Sequence, residues 1–498
     1  MPRTIRIVAS EYALLTVLLA AATCMCAGCG TATSTTPKTP DAHGAGTLID
    51  AASLKLKGEG DLTCGMEALQ KKDYRQAMDF FLKSAAAGNV SAAFNVGVMY
   101  LKGFCVAKDD HKANEWFKKA ADLGHSEAMY NLGVSYDKGL GEKQDYEQAI
   151  AWYQKATEGG HTGAMVNLAV MYSFGHGVPQ DFQKAVALDR RAAEAGNGKG
   201  MFGLGLDYDK GEGVAQDYQQ AMSWYQKAAA AGETRAMCNI GVLYAKGQGV
   251  PRNYKEAMAW YKKAADAGDA SAMTEVGCVY YHGKGVAEDC GVAMEWFQKA
   301  LAAGDEGAMN NIGTMYAEGR GVPQNYEEAM KWFQKAVAAG GSEAMVNIGV
   351  LYETGRGVAQ DYKEAMAWYN KAAEAGDSLG MKSIGVSYYL GRGVSQDYKM
   401  AMAWFQKAAA AGNADCMSDV GLMYAQGSGV PQNLEEAAKW FQKASDAGCS
   451  EGMYNIGVVY YKGLGAPKDT AKGKELIQKA AALGNEHAKA ALNKLSSE

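Results

Sequence analysis

Residues 269–304 read DASAMTEVGCVYYHGKGVAEDCGVAMEWFQKALAAG, and their spacing decides the fold. Ala272, Met273, Val276, Gly277 and Tyr280 recur at helical intervals and form one apolar stripe. Gly283-Lys284-Gly285 ends that helix, because glycine best adopts the left-handed conformation of a C-terminal cap. After a loop, a second helix turns Ala293, Trp296, Phe297 and Ala300 to one side, and Gly304 closes it in the same way. The stretch is a helical hairpin.

Outward from it, the same frame repeats. Tyr100, Tyr136, Tyr172, Tyr208, Tyr244, Tyr280, Tyr316, Tyr352, Tyr388, Tyr424 and Tyr460 are each 36 residues apart. Three residues before each stands a glycine, from Gly97 to Gly457, with Ala169 the one exception. All nine Trp share one slot, which Leu188 fills in the unit that also carries Ala169. Eleven units therefore run over residues 89–484 without insertion or deletion. Such strict periodicity means a solenoid, in which each unit buries its face only against its neighbours.

Local signals agree. The second helix opens with capping boxes such as Asn253-Tyr254-Lys255-Glu256, Asn325-Tyr326-Glu327-Glu328 and Asp361-Tyr362-Lys363-Glu364. Pro179, Pro251, Pro323, Pro431 and Pro467 share one loop slot just before these caps, so none interrupts a helix. A glycine inside the first helix costs up to about 1 kcal/mol against Ala. Its recurrence implies that close approach of a neighbouring helix outweighs that cost.

The length of 498 residues exceeds what one hydrophobic core holds. With 48% apolar and 21% charged residues the chain is not globally disordered, and a net charge of -5 leaves no basic footprint for nucleic acid.

The pattern Gly-x-x-Tyr, Gly-x-Gly-Val-x-Gln-Asp-Tyr, then Ala-x-x-Trp-(Tyr/Phe)-x-Lys-Ala-Ala-x-x-Gly resembles the Sel1-like repeat. Gly241, Tyr244, Gly247, Gly249, Val250, Tyr254, Ala257, Trp260, Lys263, Ala264, Ala265 and Gly268 carry it in one unit. The resemblance implies an all-α, right-handed α/α solenoid of tandem 36-residue hairpins, related to tetratricopeptide repeats. It also implies an adaptor that binds protein or peptide partners and helps assemble or regulate cell-envelope complexes. Residues 61–88 are a variant: Gly65 lies eight residues before Asp73, where Gly277 lies twelve before Asp289. That shorter connection resembles a tetratricopeptide hairpin and is expected to form the N-terminal cap. Residues 485–498 are expected to form a polar helix covering the last core face.

The N-terminus reads as an export signal over residues 1–29, with Arg3 and Arg6 before an apolar run from Ala13 to Ala22. That run is too short for a spanning helix. Cys26-Ala27-Gly28-Cys29 resembles a bacterial lipobox, which implies lipidation of Cys29 and a membrane anchor. Cys26 departs from the usual aliphatic residue, and an ordinary cleaved signal is the competing reading. Gly30 is not the Asp associated with inner-membrane retention, so the expected location is the periplasm or outer membrane, with display on the cell surface as the alternative. Residues 30–60, rich in Thr, Ser, Ala, Gly and Pro, read as a flexible tether.

Chemistry is sparse. The His residues show no ligand spacing, so neither metal nor cofactor is expected. Gly198-Lys199-Gly200-Met201-Phe202-Gly203 matches a dinucleotide fingerprint but follows no strand. Some members of the family are linked with β-lactams, which makes a β-lactam hydrolase or penicillin-binding activity the enzymatic alternative. Ser135-Tyr136-Asp137-Lys138 is the one Ser-x-x-Lys match, and no Ser-Asp-Asn or Lys-Thr-Gly partner accompanies it, so the chain is not expected to be an enzyme. Cys278 and Cys290 are candidates to bridge across a hairpin in an oxidising compartment.

Two columns are candidate binding surfaces. Asn95, Asn131, Asn167, Asn239, Asn311, Asn347 and Asn455 share one first-helix slot, although Asn is a poor helix-interior residue. In related solenoids that position faces a concave groove where amides hold an extended peptide, and the competing reading is a bond to the neighbouring helix. Lys284, Arg320, Arg356 and Arg392 form a loop-edge column that would attract an anionic ligand or simply stand in solvent.

Overall fold

A computed structural model describes residues 59–495. Among these residues there are 25 α-helices and no strand, most helices having 13 residues. The expected signal segment, Cys29, most of the tether and the last three residues lie outside the described part. Two compact units divide the chain, one holding described residues 59–272 and the other 273–495. Within each, consecutive helices pair as hairpins, and each hairpin packs on the next. The 61–88 segment forms the hairpin Glu59–Gln70 and Tyr74–Ala86, and the tail forms the helix Glu486–Leu495.

Helix starts follow from capping. Asn325 Oδ1 accepts from Glu328 N at 3.0 Å, and Asp361 Oδ1 accepts from Lys363 N at 2.8 Å and Glu364 N at 3.0 Å. The loop between the helices is closed by two bonds. In the hairpin of residues 342–377, the Asp361 N–H donates to Tyr352 O at 2.9 Å, and Gln360 Nε2 donates to Glu353 O at 2.8 Å. The same Gln-to-carbonyl bond recurs from Gln144, Gln180, Gln216, Gln324, Gln396 and Gln432, which explains the Gln of the repeat pattern.

The two loop glycines have different tasks. Gly319, at φ 69°, is the left-handed cap of helix Ala308–Glu318. Gly321, at φ 74°, passes so close to the previous hairpin that a Cβ there would stand 2.6 Å from Cys290 O.

The glycine inside the first helix meets an aromatic ring from the second. A Cβ on Gly277 would lie 2.6 Å from Cε1 of Phe297, whose side chain is fully buried. Tyr153, Tyr225, Tyr261, Phe333 and Tyr369 hold the same place in their hairpins, and the ring slot of the 162–197 hairpin carries Asp189 instead. Ala169 is tolerated there because no ring presses on it. Each Trp carries the ammonium of a Lys three residues on, at 3.8–4.8 Å from the ring centre, in all nine hairpins that have the Trp.

Candidate binding surface

The Asn column lies largely inside the stack. Asn95, Asn239, Asn347 and Asn455 are buried, and Asn131, Asn167 and Asn311 are half-buried. Five of the amides face the preceding hairpin. Asn347 Nδ2 donates to Asn310 Oδ1 at 2.8 Å, Asn455 Nδ2 to Ser418 Oγ at 3.2 Å, Asn167 Nδ2 to Tyr153 Oη at 3.0 Å, and Asn311 Nδ2 lies 3.9 Å from the sulfur of Cys278. Asn95 Nδ2 reaches the Met66 sulfur at 3.7 Å. These amides join hairpins and are not presented to a peptide backbone. The expectation of an open Asn groove is corrected accordingly.

A second ladder, unread in the sequence, joins the first helices at their starts. The capping residue of one hairpin bonds the first turn of the hairpin before it. His161 Nε2 lies 2.8 Å from Glu127 Oε2, Asn197 Nδ2 donates to Thr162 Oγ1 at 3.0 Å, Ser342 Oγ donates to Asp377 Oδ2 at 3.1 Å, and Asn485 Nδ2 donates to Glu451 Oε2 at 2.7 Å. In the 450–485 region Cys449 takes this role, with its Sγ 3.5 Å from Asp415 Oδ1, and burial pushes its thiol up to about 12. A thiol held protonated in this way caps a helix and is a poor nucleophile.

Three of the four loop-edge cations are likewise engaged within the fold. Arg320 Nη2 donates to Tyr281 O at 2.6 Å and pairs with Glu288 Oε1 at 2.9 Å, and its guanidinium lies 3.9 Å from the Tyr281 ring centre. Arg392 Nη1 pairs with Glu353 Oε1 at 2.9 Å, and the same carboxylate accepts from Tyr369 Oη at 2.6 Å. Arg356 lies over Tyr326 at 5.7 Å, while Lys284 is exposed. The column is thus a set of inter-hairpin staples at Arg320 and Arg392, not a free anionic-ligand surface.

Cys290 is a free thiol, so the Cys278–Cys290 bridge is not formed. Cys290 opens helix Cys290–Ala302 with its Sγ 3.6 Å from Glu288 Oε1, whereas Cys278 is disulfide-bonded but not to Cys290, and its sulfur lies 3.9 Å from Asn311 Nδ2 of the next hairpin. Ser135 is also buried, and its hydroxyl donates to Asn114 Oδ1 at 2.7 Å, which makes it a link between hairpins. Among the described residues no group of three or more His, Cys, Asp or Glu is placed to hold a metal ion.

One junction departs from the rest. Gly203 occupies the Asn slot of its hairpin. The step by which Asn311 covers Cys278 leads from Gly203 to Val170, and without a side chain to cover it Val170 is 41% exposed. One turn on, Phe174 is 54% exposed where Lys138 and Lys210 stand in the flanking hairpins. The Phe174 ring is held by stacking on His176 at 5.8 Å, which stacks on Tyr146 at 5.3 Å. Isolated apolar residues on a surface mean little, but two adjacent ones with a supported ring are a contact candidate.

The Sel1 repeat profile matches residues 65–89, 90–125, 126–161, 162–197, 198–233, 234–269, 270–305, 307–341, 342–377, 379–413, 414–449 and 450–485. The chain belongs to the Sel1 repeat family. The first match falls on the hairpin read as a tetratricopeptide-like cap, so this Sel1 repeat protein carries twelve matches where the periodicity counted eleven units. Proteins of this family are typically scaffolds for protein–protein interaction. A crystal structure described as a protective antigen of uropathogenic Escherichia coli strains with an SLR fold is 32% identical, over 84% of this chain and 90% of that one, with a TM-score of 0.47. A Sel1 repeat protein from Oxalobacter formigenes is 33% identical, over 48% of this chain and 96% of that one, with a TM-score of 0.46. Among curated proteins nothing matches.

Proposed function

We propose that the chain is an exported Sel1 repeat scaffold that binds a protein or peptide partner and supports assembly or regulation of cell-envelope complexes. One observation carries the reading. The residues that recur at the period (Ala, Ile or Val, Gly, the buried ring and the Asn amides) are spent within and between hairpins, and the outward slots change from unit to unit. A fold that keeps its frame and varies its surface suits recognition by many distributed contacts. Val170 and Phe174 are the anchors this reading selects. Crosslinked capture from native envelopes, comparing wild type with Val170→Ser/Phe174→Lys, tests it. The expected result is a reproducible partner that disappears from the variant while helical CD is unchanged. A chain that captures no partner refutes the scaffold reading, and a partner indifferent to the variant refutes the choice of anchors.

The same proposal assigns the chain to the periplasm or outer membrane through a lipid on Cys29, from the resemblance of Cys26-Ala27-Gly28-Cys29 to a lipobox. Metabolic labelling with a clickable palmitate analogue should mark the wild type and not Cys29→Ser. Labelling that survives the substitution refutes the anchor. Protease accessibility on intact cells separates surface display from a periplasmic position.

A further inference from the structure

Three departures from the repeat meet at one place. In the hairpin of residues 162–197, Asp189 replaces the buried ring and Ala169 replaces the glycine that would face it; in the next hairpin, Gly203 replaces the Asn. They fit one another. A Cβ on Gly203 would stand 2.6 Å from Asp189 Oδ2, 2.7 Å from Cγ and 2.8 Å from Oδ1, so the carboxyl packs where only a glycine leaves room for it. One turn along helix Gly198–Lys210 from Gly203 sits Asp207, 7% exposed, whose buried Oδ2 has no hydrogen-bond partner. Asp189 is equally buried.

Arg190 and Lys210 stand near enough to favour the charged form of Asp207, yet their own bonds go elsewhere. Helix Phe182–Glu194 brings Arg190, whose Nη2 donates to Tyr208 Oη at 3.1 Å. Helix Gly198–Lys210 brings Lys210, which pairs at 3.8 Å with Glu212 of the following loop. Helix Thr162–Phe174 carries no acid or base besides Tyr172, which lies under Lys184. Helix Tyr218–Ala230 brings Lys227, held over Trp224, and Tyr225, whose hydroxyl donates to Asp209 Oδ2. Burial, reinforced by Glu212, moves the Asp207 carboxyl up to about 7, and burial with the neighbouring Asp207 raises Asp189 well above the usual carboxylate range.

We propose that the junction between residues 162–197 and 198–233 is a proton-controlled joint, packed tight while Asp189 and Asp207 hold protons and loosened when both ionise. Two neighbouring buried carboxylates that no cation bonds are costly to keep charged, so ionisation favours the opened junction, where water reaches them. The other hairpins in this unit carry a ring in the Asp189 slot and lack this response.

Hydrogen exchange on the full chain between pH 5 and pH 8, corrected for intrinsic exchange, tests the joint. If Asp207 titrates near 7 when packed and near its ordinary value when open, opening rises about a hundred-fold across that range. Peptides spanning residues 182–210 should lose that much protection relative to peptides spanning 218–246. Asp189→Asn/Asp207→Asn should flatten the dependence. The variant Ala169→Gly/Asp189→Tyr/Gly203→Asn rebuilds the arrangement of the other hairpins and should flatten it too, which keeps the test decisive if the first variant does not fold. Equal protection of the two regions at all pH values in wild type, or a dependence that survives in the folded variants, overturns the proposal.

Discussion

Gly313→Ala sets two effects of opposite sign against each other. Gly313 lies inside helix Ala308–Glu318, where Ala is favoured over Gly by about 1 kcal/mol on helix propensity alone. The structure opposes this. The added Cβ would stand 2.6 Å from Cε1 and 2.7 Å from Cδ1 of Phe333, a ring 2% exposed and enclosed by Ala329, Ala336, Ala344 and Ile348. Ordinary contact begins about 0.8 Å farther out, and a rigid buried ring yields only by moving its helix. Overpacking of this kind costs about 1–3 kcal/mol, so against the gain in propensity the net effect is a loss of up to about 2 kcal/mol. In a repeat array the loss is local and shared with nearest neighbours. Hydrogen exchange should therefore show reduced protection across residues 308–351, with residues 450–482 unchanged, and urea unfolding followed by CD should begin earlier. Adding Phe333→Leu should recover part of the loss. A Gly313→Ala protein more stable than wild type would refute the reasoning, because propensity would then have decided the position.

Other expectations follow from the same contacts. Ala169→Gly should destabilise by about 1 kcal/mol, since no ring fills the slot opposite and only helix propensity changes; local exchange over 162–174 reads it. Gln360→Ala removes the bond to Glu353 O and should cost about 1 kcal/mol in urea unfolding, with faster exchange in the 355–361 loop. Arg392→Ala leaves the Glu353 carboxylate, 8% exposed, without its cation and should cost about 2 kcal/mol; adding Glu353→Gln should restore most of it. Because the folded Asp207 carboxyl is raised, its stabilisation is full below about pH 4 and is lost as pH rises through about 7. That shift is worth up to about 4 kcal/mol for the 162–233 region, and the loss should be absent from Asp207→Asn.

Much of the hairpin was legible because it rests on local chemistry. Gly283 after an apolar stripe, Asp361 three residues before Glu364, and Pro251 just ahead of a cap each point to a helix end without reference to a neighbour. The recurring glycine even signalled close approach, although its partner ring was not visible. What the period could not convey was the phase of each slot against the adjoining hairpin. Asn347 and Arg392 look the same in sequence whether they face solvent or the preceding unit, and the stack turns both inward. The Gln of the loop and the second loop glycine were visible as pattern, yet their reasons are a carbonyl seven residues back and a backbone in another hairpin. The junction at Asp189 showed itself only through Leu188 and Ala169; recognising Asp189 required knowing that its slot elsewhere holds a fully buried ring.

The loop glycines also give the array a direction. Gly357 rests on Tyr326, Gly393 on Tyr362 and Gly429 on Tyr398, in every case on a hairpin nearer the N-terminus. A chain emerging from the ribosome thus meets a seat already built from earlier residues, and each new loop is moulded on completed structure. Growth is templated from one end. Removing hairpins from the C-terminus leaves every remaining loop seated, whereas removing them from the N-terminus strips the template from the first loop that survives.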